Sequence, residues 1–155
     1  MPLPCTLGVD IGTSSTKAVL VGLDGEIIAS AARAHEVDRP RPGWVEMDAR
    51  LWWDEFVSLA QELLGGRSDL AVTGVGVSGM GPCVLLVDEH DEPVRPAILY
   101  GVDTRAGQQI DRLNRELGAE EIVRRGGSAL TSQAAGPKIA WVAEAEPALY
   151  ARARR

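Results

Sequence analysis

Cysteine, histidine, cationic excess and long apolar runs are all scarce in this chain of 155 residues, and each shortage excludes something. The two cysteines, Cys5 and Cys83, lie far apart with no CxxC or histidine spacing, which rules out a disulfide framework and a zinc site and leaves two reduced thiols. The two histidines, His35 and His90, have no neighbour in the sequence that would make either catalytic, so both read as solvent-exposed. A formal charge of −6 gives no sequence-blind grip on nucleic acid, because neutralising phosphates needs clustered Lys and Arg. The one basic cluster, Arg152 to Arg155, is a terminal tail. No apolar stretch approaches the roughly 20 residues of a membrane span, and the opening MPLPCTLG lacks a basic start followed by an apolar run. A cytoplasmic location is the resulting expectation, with neither membrane nor nucleic acid as partner.

What is present is the composition of a globular domain: 45% hydrophobic and 25% charged, enough for one core of ordinary size. Leu7 to Asp10, Lys17 to Leu23 and Ile27 to Ala34 read as strands rich in Val and Ile. Asp24-Gly25 between apolar runs predicts a type I′ turn and an antiparallel hairpin, and the bend around Gly12 to Ser15 predicts a second hairpin before it. Leu51 to Leu64 places Leu51, Trp52, Phe56, Leu59, Ala60, Leu63 and Leu64 on one helical face, with Asp48 as N-cap and Gly65-Gly66 as terminator. VTGVGVSG, CVLLV and PAILYG read as further strands. Thr104 to Leu117 reads as a helix with Ile110, Leu113 and Leu117 as its stripe, and EEIVRRGG and PKIAWVAEAEP as short helices. The sum is an α/β layer domain with a mixed sheet and flanking helices.

Gly74, Gly76 and Gly79 spell GxGxxG, but a dinucleotide site needs a helix after the third glycine. Here Gly81-Pro82 and the apolar run CVLLVD follow, so these glycines read as a strand whose backbone passes close to something.

The stretch LGVDIGTSSTKAVLVGLDGEII carries more chemistry. An aspartate at a strand end, a glycine, four consecutive hydroxyl residues and a lysine fill the first hairpin tip. Such a tip can aim backbone N–H groups at phosphate oxygens, with hydroxyls and Lys17 adding donors and charge. Asp10 could hold magnesium, which takes one or two carboxylates and keeps waters. The alternative is a turn whose hydroxyls satisfy only their own backbone.

This stretch resembles the first phosphate loop of the actin, hexokinase and Hsp70 superfamily, and most closely that of the FGGY carbohydrate kinases. GWVEMDARLWWDEF, VTGVGVSGM with LLVDEHDEPVRPAIL, DTRA, GGSALT and PKIAWVAEAEPALYARA resemble segments found in that order in these kinases, so the resemblance covers nearly the whole chain. It implies a ribonuclease H-like fold and the N-terminal part of a sugar kinase using ATP and Mg²⁺. The nucleotide contacts it implies are Asp10, Gly12, Thr13, Ser14, Ser15 and Lys17, with Asp10 near the metal. The sugar contacts it implies are Met80, Gly81, Asp103 and Arg105.

Some of these positions have plainer alternatives. Asp103 could be a helix-start carboxylate beside an exposed arginine, and Met80 a core filler. Trp44, Trp52, Trp53 and Trp141 read as packing residues, with no stacking platform among basic neighbours. Xylulose kinases usually show QMHG where Gly79, Met80, Gly81 and Pro82 stand here, and a tryptophan where Gly101 stands. A ketose such as xylulose is still the favoured substrate, but other residues must pair its hydroxyls, because a buried polar group left unpaired costs about 1 to 3 kcal/mol.

Family members are several times longer and close two domains on their substrates. The resemblance therefore implies that 1–155 is an incomplete N-terminal domain, inactive alone, with the general base beyond residue 155. A sheet edge or apolar face left uncovered would favour homo-oligomers. A non-catalytic nucleotide-sensing or scaffold module on the same fold is the alternative function.

Overall fold

The computed structural model describes residues 1–155 throughout. In chain order it contains β1 (Leu3–Ile11), β2 (Ser15–Gly22), β3 (Ile27–Ala34), β4 (Glu46–Met47), α1 (Ala49–Leu64), β5 (Leu70–Gly79), β6 (Ala97–Ile98), α2 (Gly107–Leu117), α3 (Ala119–Gly126), α4 (Ala135–Ala145) and α5 (Pro147–Arg152). These gather into two compact units, Met1–Val37 with Arg50–Met80, and Asp38–Ala49 with Gly81–Arg155.

The first unit is a mixed sheet in the order β3-β2-β1-β5. The β1–β2 and β2–β3 pairs are antiparallel, and β5 runs parallel to β1. Alternation along β1 buries Cys5, Leu7 and Val9 on one face, and the register sets Leu20 opposite Leu7 and Ala18 opposite Val9. Helix α1 lays Leu59 and Leu63 on these residues, with Phe56, Ala60 and Leu64 packed around them. These are five of the seven residues its spacing predicts; Leu51 and Trp52 lie outside the cluster. Its end is closed where Gly65 N–H donates to Gln61 O at 2.8 Å, and Gly66 follows with φ 74°. Trp53 departs from a packing role: it is 65% exposed.

The β2–β3 hairpin is antiparallel as expected, but its turn at Asp24-Gly25 is not type I′. A type I′ turn needs positive φ at both central residues, and of this pair only Gly25 has it, at 88°. The bend closes instead through Gly25 N–H to Gly22 O at 3.0 Å and Gly22 N–H to Glu26 O at 2.9 Å, and the ladder shifts register between Leu20 and Val21. The extra loop residues are absorbed as a bulge.

Strand β5 is the sheet edge, and Gly74, Gly76 and Gly79 all lie within it, so GxGxxG here is strand rather than strand-to-helix turn. Val72, Val75 and Val77 stand exposed along it.

The second unit holds the β4–β6 pair and the remaining helices. Val84, Leu86, Val94, Ile98 and Val142 form its apolar cluster, with Trp141 against it. CVLLV is not a regular strand: Val84 bridges Ile98 and Val87 bridges Pro93, each in isolation. PAILYG contributes only Ala97–Ile98. Helix α2 begins at Gly107 and not at Thr104, and Gln109 is its only buried residue. Leu117, expected in its buried stripe, is 57% exposed.

Candidate functional site

In the first unit the β1–β2 tip is an open turn. Gly12 N–H donates to Ser15 O at 2.9 Å, and a Cβ on Gly12 would come within 3.0 Å of that same oxygen, so the residue type is set by the close approach. Ser14 is exposed, and Gly12, Thr13 and Ser15 are half-buried. Asp10 and Lys17 are direct cross-strand partners, which puts both side chains on one face, and both are exposed. Thr16, the next residue, points to the opposite face and is fully buried. The hydroxyl run is thus divided by the strand pleat between a solvent side and a core side.

An open trough borders the Asp10–Lys17 face, lined by Gly8, Val19, Ser30, Gly76 and Ser78 among others. Gly8 and Gly76 are register partners, so its floor is bare backbone beside Asp10. Met80 reaches the turn from the end of β5. Its N–H donates to Ile11 O at 2.9 Å, and Thr13 Oγ1 donates to its Sδ at 3.6 Å. It is half-buried and outside the apolar cluster, so it is not a core filler. Gly81 follows it, and a Cβ there would meet nothing within 4 Å.

The donor set fits a magnesium nucleotide. The turn offers one exposed carboxylate, an exposed ammonium and hydroxyls, and the chain contains no cluster of three His, Cys, Asp or Glu able to cage a metal. Magnesium that keeps its waters and takes phosphate oxygens needs no such cage.

Asp103 and Arg105 belong to the second unit, and both side chains are fully buried. Arg105 is therefore not the exposed arginine of the plainer reading. Asp103 accepts from Val45 N at 2.7 Å, from Arg105 N at 3.1 Å and from the Arg105 guanidinium at 2.7 to 3.0 Å. Arg105 also donates to Glu46 at 2.6 Å, and Arg95 donates to the same Glu46 oxygen at 2.5 Å. The guanidinium stacks 4.1 Å from the Trp44 ring and 5.0 Å from Trp141. These two tryptophans, read from sequence as packing without basic neighbours, are half of an arginine box. The GWVEMD and DTRA segments meet here as one ion-pair network.

Three residues of interest carried no signal in the sequence. His35 is the first correction: its side chain is 3% exposed, with Nδ1 at 2.9 Å from Glu55 and Nε2 at 3.0 Å from Gly12 O. Gln133 is the second. Its side chain sits 3.3 Å from where a Cβ on Gly101 would stand, and Gly101 has φ 28°, so a side chain there would be strained and would press on Gln133. Lys138 is the third, 1% exposed and donating to Leu99 O at 2.8 Å. Burial pushes its pKa down, and Asp103 partly opposes that shift. Burial pushes the nearby Cys83 thiol up, so it stays protonated and unreactive at neutral pH.

The sequence pattern of the FGGY family of carbohydrate kinases, N-terminal domain, matches residues 5–155. The chain belongs to that family. Among curated FGGY relatives, the xylulose kinase of Streptomyces rubiginosus is 35% identical over 93% of this chain and 29% of its own length. Glycerol kinase 2 of Streptomyces coelicolor is 33% identical over 97% of this chain and 30% of its own. The crystal structure of xylulose kinase from Rhodospirillum rubrum superposes with a TM-score of 0.91 at 36% identity, covering 96% of this chain and 31% of that one. This FGGY chain therefore spans about a third of the length of the relatives it matches, and its fold is that of the ribonuclease H-like sugar kinases. None of its helices is long and apolar enough to cross a membrane.

Proposed function

We propose that these residues supply the phosphate-holding side of an ATP-dependent carbohydrate kinase, which transfers the γ-phosphoryl group of MgATP to a sugar hydroxyl. The observation that carries this reading is the open hairpin tip with Asp10 and Lys17 side by side on one exposed face. Gly12 lets the backbone approach the anion. Thr13, Ser14 and Ser15 offer hydroxyl and amide donors, Lys17 offers positive charge, and Asp10 holds the hydrated magnesium. MgATP supplies the transferred phosphoryl group. The protein's part is to orient it and to offset its charge.

Met80 and Gly81 are our candidates for sugar contact in the first and second units respectively. Asp103 and Arg105 act at one remove: their polar atoms are engaged by each other, Glu46 and Val45, which supports a role in holding the backbone of that unit in shape. A ketose like xylulose is favoured, since xylulose kinases recur among the relatives, although a glycerol kinase of similar identity keeps polyols in view. Gln133, whose side chain lies beside Gly101, is the candidate for pairing a sugar hydroxyl.

The 155-residue chain alone should release no ADP with any sugar, because phosphoryl transfer relies on groups converging from both sides of a closed cleft. Titrated with MgATP, its amides at residues 10–17 should shift in NMR spectra with an affinity weaker than millimolar. Micromolar affinity, or shifts confined elsewhere, would contradict this division of labour. A sugar panel assayed on a longer product carrying these residues decides the substrate.

A further inference from the structure

We infer that His35, braced by Glu55, sets the anion-facing conformation of the turn at residues 12–15. The inference rests on the reading of that turn as a phosphate site.

His35 follows the last residue of β3 and lies against the turn from the core side. Its backbone N–H donates to Ser14 O at 3.0 Å, and its Nε2 lies 3.0 Å from Gly12 O. Its Nδ1 lies 2.9 and 3.1 Å from the two Glu55 carboxylate oxygens, and Glu55 also accepts from the buried Thr16 hydroxyl at 2.5 Å. The His35 and Glu55 side chains are 3% and 8% exposed. Partner chemistry fixes the ring's protons. A carbonyl oxygen has none to give, so Nε2 carries one and donates it to Gly12 O. Nδ1 and the Glu55 carboxylate share another, since two lone pairs would not approach to 2.9 Å.

In a trans peptide the C=O of one residue and the N–H of the next point in opposite directions. A Gly12 carbonyl turned inward onto His35 therefore sends the Thr13 N–H outward. A Ser14 carbonyl held by the His35 backbone ties the other arm of the turn to the end of β3. Gly12 is the residue whose peptide turns most freely, and its oxygen swung outward would meet a phosphate oxygen with like partial charge. The imidazole holds it back before any ligand arrives, so less ordering remains to be done on binding. His35 does not touch the anion. It acts through Gly12 as a positioning residue, and Glu55 acts through His35.

The test is an NMR titration of the ¹⁵N-labelled 155-residue chain with MgATP, following the amides of Thr13, Ser14, Ser15 and Lys17, in wild type, His35→Leu, His35→Gln and Glu55→Gln. His35→Leu should weaken binding about tenfold, the scale of one misplaced donor to a charged group, with unchanged far-UV circular dichroism. His35→Gln, whose amide can still donate to Gly12 O, should recover most of that loss. Glu55→Gln should fall between them. A long-range ¹⁵N spectrum of the wild type should show Nε2 protonated. Equal affinity in wild type and folded His35→Leu, or no loss in Glu55→Gln if His35→Leu fails to fold, would overturn the proposal, as would an unprotonated Nε2. No shift at the turn in the wild type would be a different failure, removing the phosphate reading and this one with it.

Discussion

The chain has two lysines, and they occupy opposite environments. Lys17 is exposed beside Asp10, whereas Lys138 is 1% exposed with its ammonium on the Leu99 carbonyl. Burial holds the Lys138 pKa below its ordinary value of 10.5, so between the folded value and that of the unfolded chain the unfolded state binds more protons. Stability contributed at this site therefore rises with pH through that window. Lys138→Met removes the titration and leaves Leu99 O unpaired, at a cost of about 1 to 3 kcal/mol. Urea denaturation should find the variant less stable at about pH 7, with the gap widening toward about pH 10 as the wild type alone gains. A gap that narrows would refute the sign. At this scale the sequence was legible where the signal is local: DIGTSSTK reads as a hairpin tip because glycine and hydroxyl residues are adjacent between two apolar strands, and the β1–β2 turn stands there. His35 was not, because its partner Glu55 lies 20 residues on, brought to it by the connection between β3 and α1. No spacing rule reaches across an irregular loop.

Helix α1 shows how periodicity becomes packing. Leu59 is fully buried against Cys5, Leu7, Val9, Ala18 and Leu20, and it closes the face opposite Asp10 and Lys17. Leu59→Ala should cost about 2 to 5 kcal/mol in urea unfolding, and a loss below about 1 kcal/mol would mean the helix is not the lid of this core. The stripe was legible because it repeats over several turns of a helix that packs within its own unit. CVLLV was not. Five apolar residues can be a buried strand or a buried irregular segment, and here Val84 and Leu86 fill a cluster while only isolated bridges form. The α2 stripe failed for another reason: amphipathic spacing records a face, but within this chain Leu117 has nothing over it. The Asp24-Gly25 pair located its hairpin correctly and misjudged the turn, since a bulge between Leu20 and Val21 took up the length.

For the molecule as a whole, a mixed sheet was legible from three meander strands followed by a helix and a fourth strand. The placement of β5 parallel to β1 follows from the crossover through α1. What the pattern could not announce is that β5 remains the outer strand, with Val75 55% and Val77 66% exposed. A long apolar edge with unpaired backbone groups invites intermolecular pairing. Light scattering on the 155-residue chain should show association that grows with concentration and is reduced in Val75→Lys, with no loss of thermal stability. An equally associated lysine variant would place the contact elsewhere. The far end of the same strand carries a different liability. Met80 lends its thioether sulfur to the Thr13 hydroxyl, and a single oxygen atom added by peroxide would turn a soft, weak acceptor into a hard, polar one at the rim of the β1–β2 turn. Any grip on nucleotide exerted there would then depend on the reductases that keep methionine in its native state.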